Sequence, residues 1–298
     1  MKKSPKVIIV GGVAGGASCA ARLRRLDEQA CITVYDRGPF VSFANCGLPY
    51  HVGGVISNEA SLLLASPQLF HDRFRIGVQV HHEVTAIHGD SKTVIVKNLL
   101  TGESFEDNYD ALVLSPGAAP IKPELPGLDL PGVFTVRSIP DTREIRGWLA
   151  KTKAKHAVVA GGGFIGLEMA ENLRHLGLEV TLVQNGPQVM ISMDAEMVVP
   201  LQEHLQKNGI QLRLNTALTG VTQQGSKLLV NGSIETDLVI LGLGVRPETT
   251  LAKAAGLTLG KRGGIAVDSQ MRTSDPAIFA IGDVVQAHDI ITDTDILL

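Results

Sequence analysis

Hydrophobic positions in this chain come in short unbroken runs, and each run stops at glycine or at a polar residue. Lys-Val-Ile-Ile-Val over residues 6–10 ends at Gly11-Gly12. A run of that length, apolar on both faces, predicts a buried parallel strand. Ala17 to Leu26 then reads as a helix, with Leu23 and Leu26 on one face and Arg22, Arg24 and Arg25 mostly on another. Cys31 to Tyr35 predicts a second strand, ending at Asp36. Val78 to Asn108 reads as a small antiparallel meander with a turn at Thr101-Gly102. Ala111 to Leu114 is a further buried strand, closed by Ser115-Pro116-Gly117. Four prolines between Pro120 and Pro131 mark a linker.

The pattern then starts again. Ala157 to Ala160 predicts a strand, a helix runs from about Ile165 to Leu176 with Gly177 as its cap, and Glu179 to Val183 is the next strand, ending at Gln184. Asp194 to Asn208 reads as a helix, with strands near 211–214, 217–223, 227–231 and 237–241. The last segment, Thr273 to Asp283, delivers Gly282-Asp283 to the head of an expected helix. The fold class is α/β, with two Rossmann-like dinucleotide-binding domains. The second is inserted into the first: residues 1–120 and 246–298 around residues 121–245.

Composition adds limits. At 298 residues, 44% apolar with 32 glycines and a formal charge of −3, the chain fits a globular protein with a large core. Nothing in that charge points to nucleic acid or an anionic membrane. No apolar run approaches the ~20 residues that span a bilayer. The basic start Met-Lys-Lys-Ser-Pro-Lys leads into a run too short for a signal-peptide core. Three cysteines, Cys19, Cys31 and Cys46, form no CxxC, so a reducing cytoplasm is the expected setting. The nine histidines form no metal-ligand spacing.

The chemistry sits at three places. Gly11-Gly12-Val13-Ala14-Gly15-Gly16 follows the first strand, and Asp36 falls 20 positions after Gly16, the spacing that reaches a ribose hydroxyl. A pyrophosphate would sit on the free N–H groups of the helix. GxGxxG requires glycine where Val13 stands, so Gly12 and Gly15 are expected to supply the freedom for close approach. The second loop, Gly161-Gly162-Gly163-Phe164-Ile165-Gly166, is a full GxGxxG. Gln184 holds the place of the ribose-reading acid. An amide there neither repels nor clasps a 2′-phosphate, and no Lys or Arg lies between Gln184 and Asp194, which favours NADH over NADPH. Two such units imply two cofactors.

The third place is Ser42-Phe43-Ala44-Asn45-Cys46-Gly47-Leu48-Pro49-Tyr50. A helix starting at Pro49 would set its positive end at the Cys46 sulfur and favour thiolate. Cys46 reads either as a redox thiol against a flavin or as a buried structural cysteine. Cys19 and Cys31 read as small apolar core residues.

These motifs, in this order over essentially the whole chain, resemble the FAD-dependent pyridine nucleotide-disulfide oxidoreductases. The stretch SFANCGLPYHVGG resembles the single-cysteine branch that holds coenzyme A-disulfide reductases and CoA-persulfide or polysulfide reductases. The resemblance implies electron flow from NADH or NADPH through FAD to Cys46, which reduces a CoA disulfide, a CoA persulfide or a polysulfide. It implies Gly11, Gly12, Ala14, Gly15, Asp36 and Arg37 on the ADP half of FAD, and the backbone of Val84 at the adenine. It places Asn45, Ser115, Pro116 and Gly117 along the cofactor and Asp283 on the ribityl chain. Gly161, Gly163, Phe164, Ile165 and Gly166 would carry the nicotinamide cofactor's pyrophosphate, with Gln184 at the ribose, Glu168 near the nicotinamide and Gly244 closing the pocket. Arg22 and Arg25 are candidates for CoA phosphates, against the reading of a solvated helix face. Two other classes stay open. One is an NADH oxidase or peroxidase cycling Cys46 through a sulfenic acid, although those relatives carry histidine where this chain has Ala14. The other is a non-catalytic flavin- or nucleotide-binding module. Only 15 residues follow Asp283, and relatives continue into an interface domain that pairs two chains. The chain is therefore expected to lack that domain, to dimerise weakly and to turn over slowly.

Overall fold

The structure, a computed structural model, describes residues 4–297, so Leu298 of the apolar tail and the first three residues lie outside it. Its α-helices are α1 (Ala14–Leu26), α2 (Leu48–Val52), α3 (Pro67–Phe74), α4 (Ile139–Thr152), α5 (Phe164–His175), α6 (Ala195–Lys207) and α7 (Thr250–Ala254). The chain divides into two compact units. The first takes the chain up to Phe43, Leu63–Ala119 and the part from Arg246 onward; the second takes Ala44–Leu62 and Pro120–Val245. Residues 44–62, which the hydrophobic pattern groups with residues 1–120, thus pack with the second unit.

The first unit is built on a five-stranded parallel sheet in the spatial order Ile278–Ala280, Ala111–Leu114, Lys6–Val10, Cys31–Asp36, Gly77–Val80. Side chains alternate across it. Val7 and Ile9 join Ala17, Ala20, Ile32, Val34 and Phe70 on one face. Ile8 and Val10 join Leu112, Leu114, Val94 and Val96 on the other. Both faces are covered, which is why the strands read as continuous apolar runs rather than alternating ones. The antiparallel meander covering the second face starts at His82; Gly77–Val80 pairs in parallel with Cys31–Asp36 instead.

The second unit repeats the plan. Its parallel sheet runs Ile210–Arg213, Glu179–Val183, His156–Ala160, Leu238–Leu241, Val133–Phe134. A meander of Val221–Gln224, Lys227–Val230 and Ile234–Thr236 packs Val221, Leu228 and Val230 against Val158, Ala160 and Val239. The strand expected over 217–223 is formed only from Val221.

Two local expectations are corrected. α1 begins at Ala14 rather than Ala17, and its faces are not as the pattern suggests: Arg24 is 8% exposed while Leu26 is 68% exposed. The Arg24 guanidinium donates to the carbonyls of Phe74 (2.7 Å), Glu28 (2.8 Å), Arg75 (3.0 Å) and Asp27 (3.1 Å), so its donors are met inside the fold. No helix follows Gly282-Asp283. Gly282 has φ +74, its carbonyl accepts from Val285 N–H at 3.0 Å, and the chain turns into the strand Val285–Asp289.

Candidate functional site

The first glycine loop is fixed by backbone that tolerates no side chain. Gly11 has φ +93, and its N–H donates to the Tyr35 carbonyl at 2.8 Å. A Cβ on it would lie 2.1 Å from the Ser115 carbonyl oxygen, and one on Gly16 would lie 1.8 Å from that of Gly11. These contacts press α1 onto the sheet, so the helix N-terminus opens at the carboxyl ends of the strands, where dinucleotides bind. Asp36 is 8% exposed; its Oδ2 accepts from Gly12 N–H and its Oδ1 from Gly38 N–H, both at 2.7 Å. The space a side chain would take at Gly12 and Gly15 is filled by the protein itself. A Cβ on Gly12 would meet Val41 at 2.7 Å, and one on Gly15 would meet the Ser115 hydroxyl at 2.7 Å. Their missing side chains are used by packing, while Val13 and Ala14 form the mouth of the loop.

The second loop has the same construction. Gly161 has φ +107, its N–H donates to Val183 at 2.8 Å, and its Cβ would lie 2.1 Å from the Gly242 carbonyl oxygen. A Cβ on Gly166 would meet the Gly161 carbonyl at 1.9 Å. Gly162 N–H donates to Gln184 Oε1 at 2.8 Å, as Gly12 does to Asp36. At Gly163 a Cβ would meet nothing within 4 Å, and Phe164 beside it is 71% exposed. Neither α1 nor α5 has a side-chain hydrogen bond at its N-cap or an acidic residue in its first turn. The first N–H groups of both helices therefore remain for an anion. Each loop, taken alone, fits the pyrophosphate of a dinucleotide.

From Ala44 onward the cysteine stretch belongs to the second unit. Asn45–Gly47 forms one 3₁₀ turn that runs directly into α2, with Pro49 at its start. Gly47, Leu48, Pro49, His51 and Val52 are buried, and Cys46 is exposed between them. The reading of Cys46 as a buried structural cysteine is thereby set aside. Cys31, the first residue of its strand, is exposed too, against the expectation of a core residue. Cys19 is half-buried, and burial pushes its thiol upward. Asn45 Oδ1 is buried with no hydrogen-bond partner, an acceptor left for a ligand donor. Nearby on α5, burial and then the charge of Glu171 raise the Glu168 carboxyl. The Glu168 charge, followed by burial, Glu171 and Cys46, raises the Tyr50 phenol. Tyr50 was not singled out from the sequence. Its acidic neighbours lie more than a hundred residues away in the chain, so no local signal marks it.

The remaining residues of interest fall as follows. Val84 is buried in the meander beside a bulge between Val84 and Ala86. Arg37 lies 3.9 Å from both Glu83 and Glu248. Ser115 N–H donates to Val10 at 2.8 Å; Pro116 and then Gly117, with φ +73, follow it. Asp283 is exposed in its turn. In the second unit Ile165 is half-buried on α5, and Gly244 has φ +98, a conformation that favours glycine. Arg22 and Arg25 are exposed on α1, and Arg25 Nε bonds the Ala21 carbonyl at 3.2 Å. Among the described residues no helix is long and apolar enough to cross a membrane.

Comparison with known proteins agrees with this geometry. A family profile described as pyridine nucleotide-disulphide oxidoreductase matches residues 5–294. The coenzyme A disulfide reductase of Staphylococcus epidermidis is 39% identical over 284 residues, covering 95% of this chain and 64% of the relative. Among solved structures, reduced Bacillus anthracis CoADR-RHD superposes with a TM-score of 0.96 at 45% identity, covering 99% of this chain and 54% of that one. An NAD-dependent persulfide reductase from A. fulgidus gives 0.93 at 36% identity, covering 98% and 55%. The chain thus spans less than two thirds of the length of these relatives.

Proposed function

This chain belongs to the pyridine nucleotide-disulphide oxidoreductase family, whose members use FAD and NAD(P)H, and we propose that it serves as a reductase of CoA-type disulfides or persulfides with Cys46 as its redox thiol. The observation that carries the reading is Cys46 itself: an exposed sulfur in a segment whose other residues are mostly buried. FAD would be held by the first loop with Asp36, the nicotinamide cofactor by the second with Gln184, and together they supply the electron pair that restores the thiol. Cys46 thiolate attacks one sulfur of the disulfide; a mixed disulfide forms and the other half leaves as thiolate. Two electrons then cleave the mixed disulfide, returning Cys46 thiolate and releasing the second thiol on protonation. The segment's part is to hold the sulfur where small disulfides reach it. Arg22 and Arg25 present guanidinium forks suited to CoA phosphates. Weak dimerisation of this chain and a cytoplasmic setting belong to the same reading.

The test is steady-state oxidation of NADH and NADPH by the purified flavoprotein, with CoA disulfide, CoA persulfide, peroxide and O₂ supplied in turn. Turnover with the disulfide or persulfide, lost in Cys46→Ser while the flavin is still reduced, is the expected result. Turnover with O₂ or peroxide alone would assign the protein to sulfenic acid chemistry instead.

A further inference from the structure

Residues 44–62 form an excursion with a narrow neck. Phe43 and Leu63 face each other as an antiparallel bridge. Leu64 N–H donates to Ser42 at 2.9 Å, and Ala44 N–H to Leu62 at 2.8 Å. Beyond the neck the excursion packs on α4 and α5. Gly53 is met there by Asn172, whose Oδ1 would lie 2.2 Å from a Cβ. On α4, Arg143 and Arg146 are one turn apart and point to the same neighbour. Arg143 makes a two-pronged bond to Glu59, at 2.8 and 2.6 Å. Arg146 Nη1 lies 2.9 Å from Nε2 and 3.2 Å from Nδ1 of His51, over the ring.

His51 is the unusual member. It is 2% exposed, and its Nδ1 lies 2.7 Å from the Ile56 carbonyl, which can only accept. Nδ1 therefore carries a ring proton, and the Arg146 guanidinium lies over the imidazole, its Nη1 nearly equidistant from the two ring nitrogens, as a cation against a buried ring. Removing that cation would take away the contact that joins α2 to α4 and leave the buried ring to open to water. α2 is continuous with the turn that carries the sulfur: Leu48 N–H bonds Asn45 and Gly47 N–H bonds Ala44.

We propose that Arg146, through His51, is a positioning residue for Cys46: it holds α2 on α4 and so fixes the turn that presents the thiol. The role assigned to the thiol rests on the reductase reading; the clamp itself does not. The charged groups facing it are Glu59, Arg143 and Arg146.

The experiment uses Arg146→Met in the full chain, with amide hydrogen exchange of residues 48–56 and iodoacetamide alkylation of Cys46 followed by peptide mass spectrometry. Exposed Cys31, in the other unit, is the internal control. Exchange and Cys46 alkylation are both expected to rise about fivefold, the equivalent of about 1 kcal/mol, with Cys31 unchanged. Arg146→Lys, which keeps the positive charge, is expected to restore most of the difference. Should Arg146→Met fail to fold, Arg146→Gln, whose arm is shorter and uncharged, is measured the same way with the same expectation. Unchanged exchange overturns the clamp. Raised exchange with unchanged alkylation overturns its role in positioning the sulfur. Full disulfide turnover in Cys46→Ser would instead sink the reductase reading and leave the clamp standing.

Discussion

The two glycine loops show which parts of a dinucleotide cradle are fixed by backbone and which vary. Gly11 and Gly161 take the same left-handed conformation under the same kind of carbonyl contact, from Ser115 and from Gly242. Val41 fills the space beside Gly12, as Val189 does beside Gly162. Ser42 (φ 48) donates to the Gly12 carbonyl, and Met190 (φ 46) donates to that of Gly162. Even Arg24 has its counterpart in Arg174, which donates to the carbonyls of Asn208 and Leu178. The differences fall at three places: Val13 against Gly163, the Gly15–Ser115 pair against Ile165–Gly242, and Asp36 against Gln184. Common features hold the helix on the sheet, and the variable ones lie at the loop mouth or compensate for each other.

The largest effect should come from breaking the common part. Gly11→Ala and Gly161→Ala each drive a Cβ into a carbonyl oxygen at a left-handed position. Each should cost roughly 3 kcal/mol or more, measured by chemical unfolding. Gly11→Ala should also deplete bound flavin, while Gly161→Ala retains flavin and loses nicotinamide binding. Equal loss of both ligands in either variant would dissolve the one-loop, one-cofactor assignment. A smaller effect tests the compensating pair. Gly15→Ala meets the Ser115 hydroxyl and should cost about 1–2 kcal/mol, and Ser115→Gly should recover most of it, as Gly242 permits Ile165. A double mutant no more stable than Gly15→Ala would show that the pair is not coupled.

Much of this was legible in the chain. Gly11, Gly16, Gly161 and Gly166 announce themselves because the backbone needs them locally, and the strands because both sheet faces are covered. What the chain hid is long-range. That Gly12 and Gly15 are also required by packing was not visible, since Val41 and Ser115, which fill the place of their Cβ atoms, are distant in sequence. Arg24 falls in the pattern on the face away from Leu23 and Leu26, yet it is buried among four carbonyls, two of them about fifty residues away. Cys46 was legible as a candidate. That its segment packs on α4 was not, since the His51–Arg146 contact spans 95 positions. The turn at Gly282 was missed because a Gly-Asp pair at a strand end marks a helix start and a reversal equally well.

Gln184 offers a finer test. Its Oε1 already accepts from Gly162 N–H, so Gln184→Glu keeps that bond and adds the charge that Asp36 carries in the first unit. NADPH should then lose about tenfold in kcat/KM relative to NADH, about 1.4 kcal/mol. An unchanged ratio would place the 2′-position away from residue 184. The smallest effect concerns the clamp, which has no counterpart in the first loop. The Arg143 hydrogen bond, against a lesser opposing effect of burial, holds the Glu59 carboxyl below its ordinary value. A depressed folded value means that the stabilisation is complete above the unfolded carboxylate range and is lost as pH falls through the folded value. Amide protection in residues 48–62, after correction for the intrinsic pH dependence of exchange, should therefore fall modestly on acidification, and Glu59→Gln should flatten that dependence. A profile identical in both proteins would separate Glu59 from the clamp.

The neck at Phe43 and Leu63 also bears on how such genes recombine. The second unit is not one contiguous stretch of codons, because 19 of its residues, 44–62, are encoded inside the first. A crossover between relatives near residue 120 would join one parent's cysteine turn to the other parent's α4 and α5. Such chimeras should survive where Gly53 meets an Asn172-like partner and His51 finds its arginine, and fail where either match is lost, however well each parental half folds.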